Sequence, residues 1–203
     1  IQYHPENLIL ALELQRNRKK LDLNLSGLSD LQNIEISERV CFENILSVPE
    51  QFPLMINLGG PNINNWQASS NDFKKAHYSP SGDPFNSDKA IQNLPANIPA
   101  EIFQSGINDI LRYSARLPNG KYQVTLLFSE HLYSNRGQRI FDIYIEKEAV
   151  HKKLDLSEAA GLNVAYTIES QPVTVNDFQL DIYFYEYNWS GALLNGLIIE
   201  KLS

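Results

Sequence analysis

The sequence predicts an all-β protein, an antiparallel β-sandwich of jelly-roll type, with a partly helical N-terminal extension. Three observations predict it. From Leu54 onward, short segments alternate apolar and polar residues. Turn signals built on Gly, Pro and Asn separate those segments. Little helical periodicity lies between them.

Taken in order, residues 1–53 read as a helical extension or a linker from an upstream domain. His4-Pro5-Glu6-Asn7 precedes an apolar run from Leu8 to Leu14, which ends in the basic stretch Arg16 to Lys20. Proline near a first turn and cations in a last turn are helix signals. Leu21, Leu23 and Leu25 then alternate with polar residues as in a strand. Ser37 to Ser47 offers a second helix, punctuated by Pro49 and Pro53. The sandwich is expected over 54–203. In Lys121 to Ser129, Tyr122, Val124, Leu126 and Phe128 share one face. Phe141, Ile143 and Ile145 do the same in the next strand, and Leu180, Ile182 and Phe184 in a later one. Leu193 to Leu202 closes the chain as a mostly apolar strand. Pro118-Asn119-Gly120 is expected to turn one strand into the next as a hairpin. The polar stretch from Gly59 to Asn97 reads as long loops at one end of the sandwich, where function often resides.

Composition excludes several classes of function. The chain has 203 residues, 24 acidic and 17 basic, for a net charge of −7. That balance argues against nucleic acid, whose phosphates call for clustered cations. A single cysteine, Cys41, rules out an internal disulfide framework or a cysteine-based metal site. No apolar run is long enough to span a membrane as a helix. The chain opens on Ile1 rather than Met and is expected to be part of a larger protein.

No catalytic motif is present, so the protein is read as a non-enzyme. There is no Gly-x-Ser-x-Gly, no His-Glu-x-x-His and no phosphate-cradling glycine loop. Glu130 and His131 are neighbours on a strand and so point to opposite faces. Asp83 and Asp88 could ligate calcium, but turn formation in Ser81-Gly82-Asp83-Pro84 is the preferred account, and no cofactor or metal is assigned. Arg139 and Asp142 are expected to pair beside the sheet. Asn24-Leu25-Ser26 and Asn188-Trp189-Ser190 match a glycosylation acceptor pattern.

A set of ordered segments adds a family to this reading. They are Ile56-Asn57-Leu58-Gly59-Gly60, then Pro118-Asn119-Gly120-Lys121-Tyr122 through Phe128-Ser129-Glu130, then Gly137-Gln138-Arg139-Ile140-Phe141-Asp142-Ile143. Leu154-Asp155-Leu156 and the closing Leu194-Asn195-Gly196-Leu197-Ile198-Ile199-Glu200 complete the set. Together they resemble the malectin domain over about three quarters of the chain. The resemblance implies a β-sandwich carbohydrate-binding module. The family's animal type member is a lectin for glucosylated N-glycans, and related domains occur in plant receptor kinases and bacterial proteins.

The resemblance also implies where a ligand would sit. Animal members hold glucose with loop aromatics and an acidic group, the rings stacking on the sugar's C–H face. At the aromatic pair after the long strand this chain has Leu132-Tyr133, so Tyr133 keeps a ring. Asn108 falls where the family has a tyrosine, Tyr78 matches a tyrosine of the first loop, and Ser190 falls near the acidic position. A sugar other than a glucosylated N-glycan, or a ligand that is no sugar, fits these departures better. The chain's own loops add Trp66 and Trp189, each able to stack on a ligand or to pack its loop onto the sandwich. The expected ligand residues are therefore Trp66, Tyr78, Asn108, Tyr133, Trp189 and Ser190. An oligosaccharide or glycan is the first partner considered, and a protein the second.

Overall fold

The computed structural model describes residue 49 and residues 51–69 and 78–202. Apart from 49 and 51–53, the expected N-terminal extension lies outside these residues. The described chain is mostly strand. Its first sheet orders five strands as β10 (Tyr166–Glu169), β7 (Gly120–Phe128), β14 (Gly196–Lys201), β1 (Leu54–Asn57) and β2 (Trp66–Ala68), and β11 (Val173–Val175) also pairs with β7. The second orders β3 (Tyr78–Pro80), β6 (Arg112–Arg116), β12 (Gln179–Glu186), β8 (Ile140–Ile145) and β9 (Glu148–Asp155). A small third sheet joins β13 (Leu193–Leu194), β5 (Ser105–Asn108) and β4 (Asp83–Asn86). The pairings are antiparallel except β1 with β2, which is parallel. Two short helices, α1 (Ala100–Gln104) and α2 (Leu156–Ala159), precede β5 and follow β9.

The period-two patterns put the core where the sequence predicts it. Tyr122, Val124, Leu126 and Phe128 of β7 are fully buried, as are Phe141, Ile143 and Ile145 of β8 and Leu180 and Ile182 of β12. These faces share one apolar cluster. Each such side chain contributes about 2 kcal/mol through area removed from water. Leu127 breaks the alternation because its own face is covered too. It packs with Trp66, Ile102 and Phe103 in a second cluster that involves α1.

The Pro118-Asn119-Gly120 segment corrects one expectation. It is no hairpin turn, because β6 and β7 belong to different sheets. β6 pairs with β12 and β3, and β7 with β14. The segment is instead a crossing between layers. The Asn119 side chain accepts from Phe178 N–H at 2.8 Å, and the Tyr122 hydroxyl donates to Pro118 O at 2.5 Å. Gly59 has a specific steric role. It lies at φ 69°, and a Cβ there would sit 2.1 Å from Gly106 O, so β5 can approach only a glycine.

The outer face of the second sheet carries a polar node at Asp181. Its carboxylate accepts from Arg112 Nη2 at 2.8 Å, Ser114 Oγ at 2.5 Å and Gln179 Nε2 at 3.0 Å. Burial pushes this carboxyl up, but the three hydrogen bonds outweigh it and hold the group below the usual aspartate range. A depressed folded value gives stability that is complete above the unfolded pKa and lost as pH falls through the folded one. Asp181→Asn is therefore expected to cost about 1 kcal/mol at neutral pH, kept small by solvent screening. The gap to wild type should close in strong acid. Denaturant titrations at pH 7 and about pH 2 check this.

Candidate functional site

The site is built on a buried ion pair. Where β7 ends, Glu130 and Arg139 bracket the loop that leads to β8, and both side chains are 0–1% exposed. Arg139 Nε lies 2.7 Å from Glu130 Oε2. The other carboxylate oxygen, Oε1, accepts the backbone N–H groups of His131, Leu132 and Tyr133 at 3.0, 2.9 and 3.2 Å. One carboxylate thus both neutralises the arginine and bends the chain into the loop. The expected Arg139–Asp142 pair does not form. Asp142 accepts instead from Lys153 N–H at 2.8 Å and from the Tyr187 hydroxyl at 3.1 Å.

Arg139 gathers residues that are far apart in sequence. Its Nη2 donates to Asn108 Oδ1 at 3.2 Å and its Nη1 to Gly191 O at 3.4 Å. Its guanidinium carbon lies 4.9 Å from the centre of the Tyr133 ring, a cation–π contact. Gly191 is needed for this approach. At φ 66°, a Cβ there would meet Asp109 Oδ1 at 1.8 Å.

Beside this anchor lies a cavity of about 550 Å³. Each strand of the small sheet or its extension contributes to the wall: Phe85 from β4, Asn108 from β5 and Leu193 from β13. Asn86 to Lys89 form one rim, and Glu130, His131 and Leu132 the opposite side. Leu132 is 65% exposed. His131 is pinned at both nitrogens. Nε2 lies 2.8 Å from Phe103 O and Nδ1 2.9 Å from the Asn163 side chain, with the Phe85 ring edge-on at 5.4 Å. A carbonyl only accepts, so Nε2 carries a proton. Protein groups occupy both nitrogens, which leaves this imidazole placed to shape the wall rather than to shuttle protons.

The expected site residues divide. Asn108 lines the cavity and Tyr133 stands behind it on Arg139. Ser190 and Trp189 sit on the β12–β13 loop, tied to the anchor through Gly191. The Ser190 hydroxyl donates to Asn188 Oδ1 at 2.7 Å, and Trp189 is fully exposed. Tyr78 begins β3 opposite Ala115, in the second sheet, and does not line the cavity. Trp66 is a correction: it is 3% exposed and packed with Ile102, Phe103 and Leu127, so its ring offers no stacking surface. Asn188 is likewise absorbed by the fold, since its amide nitrogen donates to both Gly137 O and Gln138 O at 2.9 Å. Sequence reasoning missed Phe85, His131 and Leu193, and weighed Asp88 only as part of a calcium site. Among the described residues no group of three or more His, Cys, Asp or Glu is placed to hold a metal ion.

Comparison with known proteins decides the family. The malectin domain model matches residues 52–196. The chain belongs to the malectin domain family. Among curated proteins, this malectin domain is 25% identical over 209 residues to a probable LRR receptor-like serine/threonine-protein kinase of Arabidopsis thaliana, covering 85% of this chain and 21% of that protein. A second such Arabidopsis thaliana kinase is 33% identical over 94 residues, covering 43% of this chain and 9% of that protein. The chain therefore spans about a fifth or less of these relatives. Among solved structures, a Bacteroides uniformis beta-glucuronidase superposes with TM-score 0.63 at 22% identity, over 75% of this chain and 18% of that one. The ANXUR1 extracellular domain from Arabidopsis thaliana gives 0.61 at 19%, over 74% of this chain and 48% of that one. At these identities the likeness is one of fold. No helix among the described residues is long and apolar enough to cross a membrane.

Proposed function

We propose that this malectin domain is a non-catalytic binding module of a larger protein, and that it holds a carbohydrate in the cavity beside the Glu130–Arg139 pair. The observation that carries the reading is the composition of the wall. An aromatic ring, Phe85, and two aliphatic side chains, Leu132 and Leu193, stand with Asn108, Ser87, Asp88 and Lys89 around one concave space. Apolar surface for C–H faces, with a few polar groups for hydroxyls, is what a sugar pocket needs. The anchor beneath is rigid, so little ordering cost falls on binding.

The test is a glycan panel read by calorimetry or ligand-observed NMR, with Leu132→Ala and Asp88→Ala alongside wild type. Both side chains are exposed, so stability is expected to stay within about 0.5 kcal/mol of wild type. Binding of a short oligosaccharide is expected to weaken at least tenfold, about 1.4 kcal/mol. A panel with no binder, or a binder indifferent to both substitutions, would overturn the reading.

A second reading has its own support: the domain serves as an interaction or sensor module for a protein. Trp189 projects wholly into solvent at the tip of the β12–β13 loop, and Leu132 is largely exposed nearby in sequence order of the loops. Such side chains are the usual anchors of protein interfaces. Loss of partner capture in Trp189→Ala, with sugar binding absent in wild type, would favour it.

A further inference from the structure

The outer face of the five-stranded sheet bears a feature that the cavity does not use. Tyr183, Tyr185 and Tyr187 occupy every second position at the end of β12, so their rings emerge on one side. Tyr183 and Tyr185 lie nearly parallel, 22° apart with centroids at 6.5 Å. Tyr144 of β8 meets Tyr185 edge-on at 5.4 Å. Tyr185 and Tyr187 are 56% and 54% exposed. An outward sheet face has no need of rings for folding, since polar side chains suit it better.

The stripe is braced and electrically balanced. The Arg112 guanidinium sits 5.5 Å from the Tyr183 ring centre while paired with Asp181 at 2.8 Å. At the other end Lys153 Nζ lies 5.8 Å from the Tyr187 ring centre, and the Tyr187 hydroxyl donates to Asp142. Each end thus carries one cation and one anion, already matched to each other or to a ring. That balance suits an uncharged ligand and gives a polyanion no surplus of positive charge to meet. From Tyr183 to Tyr187 the strand advances about 13 Å, more than a single sugar ring would fill.

We propose that this tyrosine stripe is a second binding platform, distinct from the cavity, for an extended neutral polysaccharide chain lying along β12. Ring faces would meet C–H faces, and the hydroxyl, guanidinium and carboxylate edges would meet sugar hydroxyls. Burial and then the bond to Asp142 push the Tyr187 hydroxyl above the usual tyrosine value, which keeps the platform uncharged in neutral solution. The proposal shares with the cavity reading only the class of ligand. The two use different residues and fail separately.

Affinity electrophoresis of the full chain in gels containing soluble neutral polysaccharides (a mixed-linkage β-glucan, a xyloglucan, a galactomannan) tests it. The wild type is expected to be retarded by at least one polymer. Tyr183→Ala/Tyr185→Ala should weaken the retardation at least tenfold, while Tyr185→Phe, which keeps the ring, should retain it. The exposed Tyr185→Ala alone gives the same reading should the double variant unfold. No retardation of the wild type by any polymer overturns the proposal, as does a double variant that is folded and retarded like wild type. A wild type that elutes as a dimer, and a double variant that elutes as a monomer, would assign the stripe to a second copy and overturn it too. Short oligosaccharides that bind in solution and respond only to Leu132→Ala would leave the cavity reading standing by itself.

Discussion

Arg139→Met is expected to destabilise the domain by about 3–5 kcal/mol, the largest effect of any single change considered, because it strands a buried carboxylate. For a unit of this size that lowers the melting temperature by roughly 10 °C. The cost has two physical parts. Glu130 is 1% exposed and keeps its Oε1 bonds to three loop amides, but Oε2 loses its only charged neighbour. Tyr133 and Asn108 also lose the group on which they converge. Glu130→Gln strands the arginine instead and keeps an acceptor for the amides, so it is expected to cost somewhat less. The double variant should cost clearly less than the sum of the two, since a neutral pair leaves no buried charge. Thermal and denaturant unfolding of the four proteins measures this coupling. Strict additivity would show that the pair does not act as a unit.

The second large effect is expected at Asn195. Its side chain is fully buried and knits three elements together. Nδ2 donates to Phe103 O at 2.9 Å and Ser105 O at 2.7 Å, and Oδ1 accepts from Ser129 N–H at 2.7 Å. Asn195→Ala therefore orphans two carbonyls and one amide at the junction of α1, β5 and the end of β7. At about 1–3 kcal/mol for each unsatisfied buried group, partly relieved by water, a loss of roughly 3–4 kcal/mol follows. Phe103 O also receives His131 Nε2, so the cavity wall should loosen together with the core. Hydrogen exchange is expected to rise first at Glu130–Leu132. Asn195→Asp, which keeps the acceptor and loses the donors, should fall between wild type and Ala.

The strands were legible wherever one face meets the core. β7, β8 and β12 follow their alternation because a half-buried strand has no other way to sort its side chains. What the sequence left open is which sheet each strand joins. Pro118-Asn119-Gly120 has the residues of a hairpin, yet local turn chemistry is silent on the layer that receives the next strand, and the chain crosses over. Trp66 stands in a polar stretch and reads as exposed. Its burial depends on Ile102 and Phe103, more than thirty residues downstream. The error over Arg139 was avoidable, because residues 139 and 142 are three apart and an extended chain sends them to opposite sides. Half of the cavity lies in Phe85 to Lys89, where Asp, Pro, Asn and Ser spell a turn whether or not a ligand rests on them.

The bracket formed by Glu130 and Arg139 has a consequence for how such a domain diversifies. The two residues close the base of a short loop from inside the protein, and the side chains of Ser134 and Asn135 between them point into solvent. Substitutions at those two places can therefore rewrite the rim without drawing on the reserves of the core. Inheritance of the scaffold and invention of a new ligand are uncoupled at this loop. A lineage can change what it recognises one exposed residue at a time while every intermediate still folds.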